Sequence, residues 1–216
     1  MKAIFLGTFN PPHKGHKDVI DSVISYFSKF QQKESLESIH IIPCWQNPNK
    51  SKSTEYWDRY KMCQLEFVPL FASMDILCYI DDIEEKLKPE YTYELIRYFH
   101  SNSDEYIKDD FWWIITTETL LEIINGQWKN GEYLIKNNKF IWVYTENPNG
   151  DLNELKILEY FNNIGKDSKD YIYVPLVSTC NIHSTQLREM IKNKENIDNY
   201  MNLGVRTYIQ LHKLYL

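Results

Sequence analysis

Apolar runs that fit buried strands alternate along the chain with runs that fit helices. Residues 3–6 are short, continuous and apolar, as a strand inside a parallel sheet should be. From 19 to 27 the apolar positions recur three and four residues apart, the spacing of one helix face. The same reading predicts further strands over 39–45, 74–80, 111–115, 140–144 and 171–176, and further helices over 56–67, 93–99, 120–124 and 152–161 and from Thr185 and Leu203.

Repeated strand–helix units predict an α/β fold, a mainly parallel sheet with helices on both faces. This is the doubly wound, Rossmann-like arrangement, in which ligands bind outside the carboxyl ends of the strands. The 216 residues fit a single domain, 1–216. Polar stretches at 46–54, 101–109 and 145–152 are expected to be surface loops.

Charge and cysteine usage narrow the classes of function. The net charge is −6 and there is no long basic run, which argues against a nucleic-acid-binding protein. The four cysteines are far apart without a CxxC pair, so we expect reduced thiols in a cytoplasmic protein. No stretch reaches the length of a membrane span, and the amino-terminal apolar run is too short for a signal peptide. The acidic stretch 81–85 is expected to be a solvated edge rather than a metal site.

Residues 7–16, GTFNPPHKGH, lie between the first strand and the first helix and hold two of the seven glycines and two of the six histidines. Gly7 predicts a sharp turn that a ligand can approach closely. His13 and His16 share a face at a helix start, where N–H groups and the helix dipole favour a bound phosphate, with Gly15 leaving room between the rings. The alternative to a phosphate site is a Pro-rich turn with two surface histidines. The phosphate site is favoured because the segment directly follows the first strand.

A second polar segment, 181–188, follows the last predicted strand. Ser184 could cap the helix, and Arg188 lies one turn further on the same face. A hydroxyl, free N–H groups and a guanidinium that converge there would bind a polyphosphate. Together the two segments predict a two-sided phosphate site.

These segments resemble a known superfamily. Residues 7–16 resemble GTFDPPHxGH of the HxGH nucleotidyltransferases, and IHSTQLR at 182–188 resembles their ISSTxxR motif. Within the superfamily the sequence is most similar to the bacterial-type nicotinate mononucleotide adenylyltransferase family. The resemblance runs in order through 43–50 (P-x-x-x-P-P-H-K in the family), 58–62 (H-R-x-x-M), 91–95 (Y-T-x-x-T-L), 114–120 (I-I-G-x-D-x-L), Trp128-Lys129 and the ending 200–215.

The resemblance implies transfer of AMP from ATP to nicotinate or nicotinamide mononucleotide, which gives deamido-NAD or NAD and pyrophosphate. His16 is then expected to stabilise the charge on the α-phosphate, His13 and Lys14 to bind the neighbouring phosphates, and Thr8 to present its hydroxyl. Mg²⁺ would arrive with ATP, held by phosphate oxygens and water rather than by protein ligands. The implied phosphate-binding residues are Gly7, Phe9, Lys14, Gly15, Ile182, Ser184, Thr185 and Arg188.

The resemblance also implies a mononucleotide site and a ribose site. Trp128 would stack on the pyridine ring, although a tryptophan more often serves in packing. Trp45, Lys50 and Thr92 complete the implied mononucleotide site. The ribose candidates are Thr116, Thr117 and Glu118.

Several positions depart from the family pattern. Thr116 stands for Gly and Glu118 for Asp, Asn47 and Asn49 stand for Pro and His, and His183 stands for Ser. Two alternative functions stay open at this point: another transferase of the fold, such as a phosphopantetheine adenylyltransferase or a cytidylyltransferase, and a non-catalytic nucleotide-binding module. The preference between the acid and the amide mononucleotide, and the oligomeric state, do not follow from the sequence.

Overall fold

One parallel sheet of six strands organises the chain. The computed structural model describes residues 1–29, 35–46, 54–72, 74–101, 111–144, 152–177, 180 and 182–216. The strand order is β3-β2-β1-β4-β5-β6, and all five neighbouring pairs are parallel. The strands are β1 (Lys2–Gly7), β2 (Ser38–Pro43), β3 (Leu77–Ile80), β4 (Phe111–Thr116), β5 (Lys139–Tyr144) and β6 (Tyr171–Pro175).

Helices cover both faces of the sheet, so the predicted α/β, Rossmann-like fold class is confirmed. Because strand order reverses between β1 and β4, their carboxyl ends open the crevice in which such sheets bind ligands. The helices are α1 (Lys14–Lys29), α2 (Tyr56–Phe67), α3 (Ile83–Leu87), α4 (Thr92–Ser101), α5 (Thr117–Ile124), α6 (Gly131–Lys136), α7 (Leu152–Asn163), α8 (Ser184–Lys192) and α9 (Leu203–Leu211), with 3₁₀ turns at Val68–Phe71 and Ser168–Asp170.

Alternation along the strands divides the core into two layers. Ala3 and Phe5 of β1 pack with α1 and α2 on one face, whereas Ile4 packs with α4, α5 and α7 on the other. A third, smaller cluster joins α8 and α9 to Met62 of α2. The C-terminal helices are therefore fixed against the element that follows β2. Within the described ranges, no helix has the length and apolar content that crossing a membrane requires.

The differences from the predicted elements have local causes. β2 ends at Pro43 instead of residue 45, because its partner β1 ends at Gly7, whose carbonyl accepts the last bond from the Cys44 N–H at 2.9 Å. β3 begins only at Leu77, where its pairing with β2 begins. Helices α3 and α6, of five and six residues, are too short to show an apolar period and were not predicted. The three predicted loops lie almost wholly outside the described residues.

Candidate active site

The loop after β1 depends on Gly7, for a different reason than predicted. The positive φ of the turn falls on Phe9, at 47°, and not on the glycine. A Cβ at Gly7 would lie 2.8 Å from Cζ of Phe9, whose ring is 1% exposed and packs on Phe5, His16 and Phe67. Gly7 therefore makes room for the Phe9 ring beneath the loop.

His13 and His16 close the amino end of α1 with their own side chains. The His13 carbonyl accepts the first helical bonds, and Nδ1 of His13 accepts from the Gly15 N–H at 3.1 Å. In return, Nδ1 of His16 accepts from the His13 N–H at 3.3 Å, a capping box built from two imidazoles. The ring centroids are 3.8 Å apart. With Nδ1 used as an acceptor, each neutral ring carries its proton on Nε2, as a donor suited to phosphate oxygen.

Gly15 serves this arrangement by close packing. A Cβ at Gly15 would lie 3.1 Å from the His13 ring and 3.5 Å from the Ile182 carbonyl. The predicted gap for a phosphate between the imidazoles is therefore filled by contact of the His13 ring with the Gly15 backbone. The approach of the Ile182 carbonyl to Gly15 places the segment before α8 against the start of α1.

Burial keeps His13 uncharged. The side chain is buried, and burial, followed by the nearby His183, lowers its pKa to about 3 against the opposing charge of Asp18. At neutral pH His13 thus acts through its N–H group and not through a positive charge.

The depressed pKa of His13 predicts a pH-dependent stability. Between pH 6.5 and about 3 the unfolded state binds a proton that the folded state does not, so the free energy of unfolding falls as the pH is lowered through this window. The slope from this group is at most about 1.4 kcal/mol per pH unit. Urea unfolding at several pH values should show a shallower acid dependence in His13→Gln than in the unsubstituted chain; equal slopes would refute the buried, uncharged histidine.

Lys14 supplies the positive charge of the segment. Its Nζ lies 2.9 Å from both carboxylate oxygens of Asp18, which is buried at 9% side-chain exposure, while Lys14 is 47% exposed. The hydrogen bond to Asp18 raises the pKa of Lys14. The Lys14 N–H donates to the Tyr200 carbonyl at 2.6 Å, so the C-terminal region also fixes the start of α1.

The amino end of α8 lies against the same loop. Ser184 Oγ donates to the Pro11 carbonyl at 3.0 Å, and Arg188 donates to the Asn10 carbonyl at 2.8 Å and to Thr185 Oγ1 at 3.1 Å. His183, and not Ser184, is the residue that precedes the first turn, so the capping role considered for Ser184 is wrong. The two segments predicted to form one phosphate site are thus in contact.

The residues implied for the mononucleotide lie on three different segments of the chain. Trp45 follows β2, Thr92 is the first residue of α4, and Trp128 lies beyond α5, half-buried, with Nε1 donating to Glu122 at 3.0 Å. Lys50 lies outside the described residues. The assignment of these residues to a mononucleotide stays a prediction.

The ribose candidates at the end of β4 differ in accessibility. Thr116 caps α5, since its Oγ1 accepts from the Thr119 N–H at 3.4 Å, a role that the glycine of the family pattern could not fill. Thr117 is 1% exposed, and its Oγ1 accepts from Trp142 Nε1 at 3.0 Å, so its side chain belongs to the core. Glu118 is exposed in the first turn of α5.

Four polar side chains around the site were not predicted to belong to it, and three of them are buried. Arg59 is 1% exposed and donates to backbone carbonyls. Asp81 and Glu84 are 8% and 3% exposed, so the expectation of a solvated acidic edge was wrong. Tyr215 donates to Asn10 Oδ1 at 2.8 Å from the end of the chain. Only Ile83 between the paired acids could have signalled that this stretch turns inward.

The side chains at this edge offer several hydrogen-bond donors. Among the ranges that the structure describes, no group of three or more His, Cys, Asp or Glu side chains is placed to hold a metal ion. The imidazoles, Lys14 and Arg188 present N–H groups suited to phosphate oxygens. The arrangement can therefore bind a polyphosphate and stabilise charge that develops on it.

Such an edge, on a parallel sheet with this strand order, defines a nucleotide-handling α/β protein. The cytidylyltransferase-like family model matches residues 4–190, and the chain belongs to that family.

Relatives of similar length agree with this membership. The chain is 28% identical over 211 residues to a probable nicotinate-nucleotide adenylyltransferase of Clostridium botulinum, covering 97% of this chain and 94% of the relative. It is 29% identical over 222 residues to the protein of the same name from Clostridium tetani, covering 99% and 98%.

Solved structures share the fold. The nicotinic acid mononucleotide adenylyltransferase of Plasmodium falciparum complexed with NaAD superimposes with a TM-score of 0.71 at 20% identity, over 99% of this chain and 96% of that one. A putative nicotinate-nucleotide adenylyltransferase from Vibrio parahaemolyticus gives 0.61 at 18% identity, over 99% and 94%.

Proposed function

We propose that this chain is an adenylyltransferase that joins the AMP part of ATP to nicotinate mononucleotide, producing deamido-NAD and pyrophosphate for NAD biosynthesis. The observation that carries the proposal is the two-histidine cap of α1, held against the amino end of α8. The names of the relatives support the reaction and favour the acid over the amide mononucleotide. We further propose that residues 1–216 form one domain that works in the cytoplasm.

The transfer needs positioning and charge stabilisation but no covalent enzyme intermediate. A 5′-phosphate oxygen of the mononucleotide attacks the α-phosphorus of ATP, a new P–O bond forms, and the bond to the β-phosphate breaks. His16 donates from Nε2 to the α-phosphate as negative charge develops, and His13 and Lys14 bind the adjacent phosphate oxygens. Thr8 presents its hydroxyl to the phosphates, and its backbone carbonyl accepts a hydrogen bond from Arg59 Nη1 at 2.8 Å.

The leaving pyrophosphate is the ligand that the start of α8 suits best. Ser184 and Thr185 lie in the first turn, where N–H groups and the helix dipole favour an anion. Arg188 adds a permanent positive charge one turn further on. The same site also takes its shape from Gly7, Phe9, Gly15 and Ile182. A side chain at Gly7 would meet the Phe9 ring, and one at Gly15 would meet the His13 ring and the Ile182 carbonyl.

The mononucleotide is expected along the β2 and β4 ends. Trp128 is held by its Glu122 bond and by packing on Trp113, 6.1 Å between ring centroids, which makes it a rigid surface for a pyridine ring. Trp45, Thr92 and Lys50 would complete that site. Glu118 and Thr116 would bind ribose hydroxyls, while Thr117 supports them from the core.

ATP-dependent transferases generally work with a divalent ion, and we propose Mg²⁺ here. The side chains of the site fit a phosphate-bound ion, because they are hydrogen-bond donors to phosphate oxygens. The ion itself would be bound by other phosphate oxygens and by water. When bound, Mg²⁺ neutralises charge on the phosphates.

A substrate panel tests the proposal. Pyrophosphate release is measured with ATP and, in turn, nicotinate mononucleotide, nicotinamide mononucleotide and phosphopantetheine, and then with CTP in place of ATP. The proposal predicts the highest kcat/KM with ATP and nicotinate mononucleotide. Faster turnover of phosphopantetheine or CTP would assign the chain to another transferase of the family, and NAD binding with no turnover would make it a binding module.

A further inference from the structure

Two buried charged side chains bind both backbone groups of Trp45. The Glu84 carboxylate accepts the Trp45 N–H, and the Arg59 guanidinium donates to the Trp45 carbonyl at 2.9 Å. Glu84 is 3% exposed and Arg59 is 1% exposed. Trp45 itself is only half-buried, so a surface residue is fixed from inside the protein.

Arg59 joins two loops that serve different substrates in the proposed reaction. Its Nη1 donates to the Thr8 carbonyl at 2.8 Å, in the loop after β1, and its Nε donates to the Thr54 carbonyl at 3.0 Å. With the bond from Nη2 to the Trp45 carbonyl, all three nitrogens of the guanidinium donate to backbone carbonyls. The loop that carries Thr8 and the segment that follows β2 are therefore tied to one rigid group.

Lys88, the residue after helix α3, contacts the Trp45 side chain. Lys88, four residues after Glu84, places Nζ 4.7 Å from the centroid of the Trp45 ring, a cation–π distance. Tyr56 of α2 lies 5.7 Å from the same ring on centroids. The indole is thus constrained by these two contacts in addition to the two backbone bonds.

Burying a carboxylate and a guanidinium is costly for folding, and an apolar pair of similar volume would often be as stable. Burial raises the pKa of Glu84 to about 7, against the Trp45 bond and the charge of Arg59, which both lower it. A carboxyl group and a guanidinium buried around one half-exposed tryptophan fit a role in the site better than a role in stability alone.

We infer that Glu84 and Arg59 are positioning residues for the two substrates. Glu84 positions Trp45, which contacts only the mononucleotide in the proposed reaction. Arg59 links Trp45 to Thr8 of the ATP site, so it affects both substrates. This inference rests on the proposed function for its kinetic consequences, but the binding of Trp45 by Glu84 is a property of the protein without substrates.

The kinetic test compares three variants with folding checked by thermal unfolding. Glu84→Ala, which removes the acceptor of the Trp45 N–H, should raise KM for nicotinate mononucleotide roughly tenfold, the factor that about 1.4 kcal/mol represents, with KM for ATP nearly unchanged. Arg59→Lys keeps the charge but not the fork, and should raise both KM values. Glu66→Ala is the matched control, because Glu66 is another buried carboxylate that accepts a backbone N–H, from Asn202 at 3.1 Å; it should leave both KM values unchanged. Equal effects of Glu84→Ala on the two KM values, or none, would overturn the inference.

A second measurement needs no turnover. Hydrogen exchange of the Trp45 amide should be about tenfold faster in Glu84→Ala than in the unsubstituted chain, and should not change in Glu66→Ala. Unchanged exchange in Glu84→Ala overturns the inference whatever the activity. Absence of pyrophosphate release from the unsubstituted chain, with the exchange result as expected, would instead refute the proposed reaction and leave the binding of Trp45 by Glu84 standing.

Discussion

Replacing His16 by alanine should lower turnover by about a hundredfold or more, the usual cost of losing one donor that stabilises transition-state charge. The structure explains why the loss should be large. Nδ1 of His16 is occupied by the His13 N–H, so the protein fixes Nε2–H as the donor, and alanine removes that donor altogether. Steady-state pyrophosphate release with saturating substrates measures the effect.

The control for His16→Ala is His100→Ala. His100 lies on α4 with its Nε2 near Asn138 Oδ1, 3.3 Å away, and its ring packs at 5.6 Å on Phe111 at the amino end of β4, the opposite end of that strand from the site. It should keep near-normal turnover. Near-normal turnover in His16→Ala as well would remove His16 from the mechanism.

Replacing Arg188 by alanine should reduce kcat/KM for ATP by a factor on the order of a hundred. The variant loses the positive charge proposed for the leaving pyrophosphate and also the bond that fixes the Asn10 carbonyl at 2.8 Å. A contact to the leaving group predicts a fall in kcat in addition to a rise in KM for ATP, since that charge grows in the transition state. Initial rates over a range of ATP concentrations separate the two.

Arg188→Lys and Arg97→Ala are the matched controls for this position. Lysine keeps the charge but not the two-point fork, so Arg188→Lys should lie between the alanine variant and the unsubstituted chain. Arg97 is exposed on α4, far in sequence from the phosphate segments, and its loss should have no effect. A rise in KM for the mononucleotide alone would contradict the role given to Arg188.

The sheet could be predicted because several of its strands are short, continuous apolar runs. Residues 111–116 are buried with the single exception of Thr116, and such continuous apolar runs are typical of parallel strands. The polar segments at 7–16 and 182–188 both follow strands, so their meeting at one edge also followed from the topology, and the structure places Ile182 and Ser184 against the first segment.

Other features depend on contacts that no local pattern contains. Gly7 was predicted to permit a turn, but it makes room for the Phe9 ring, which packs on Phe5 and His16 nearby in sequence and on Phe67 of α2, far along the chain. Glu84 was read as solvated because charged pairs usually are, and its burial follows only from the position of the Trp45 N–H. Likewise, the proton on Nε2 of each site histidine follows from backbone bonds to Nδ1, which depend on how α1 begins.

In the proposed reaction the α-phosphorus of ATP moves to the mononucleotide. Incubation with nicotinate mononucleotide and ATP labelled at either the α- or the γ-phosphorus tests this transfer. We expect the α label in deamido-NAD and the γ label in pyrophosphate, in equal amounts. Transfer of the γ label to the mononucleotide, or release of labelled orthophosphate with no dinucleotide formed, would contradict it.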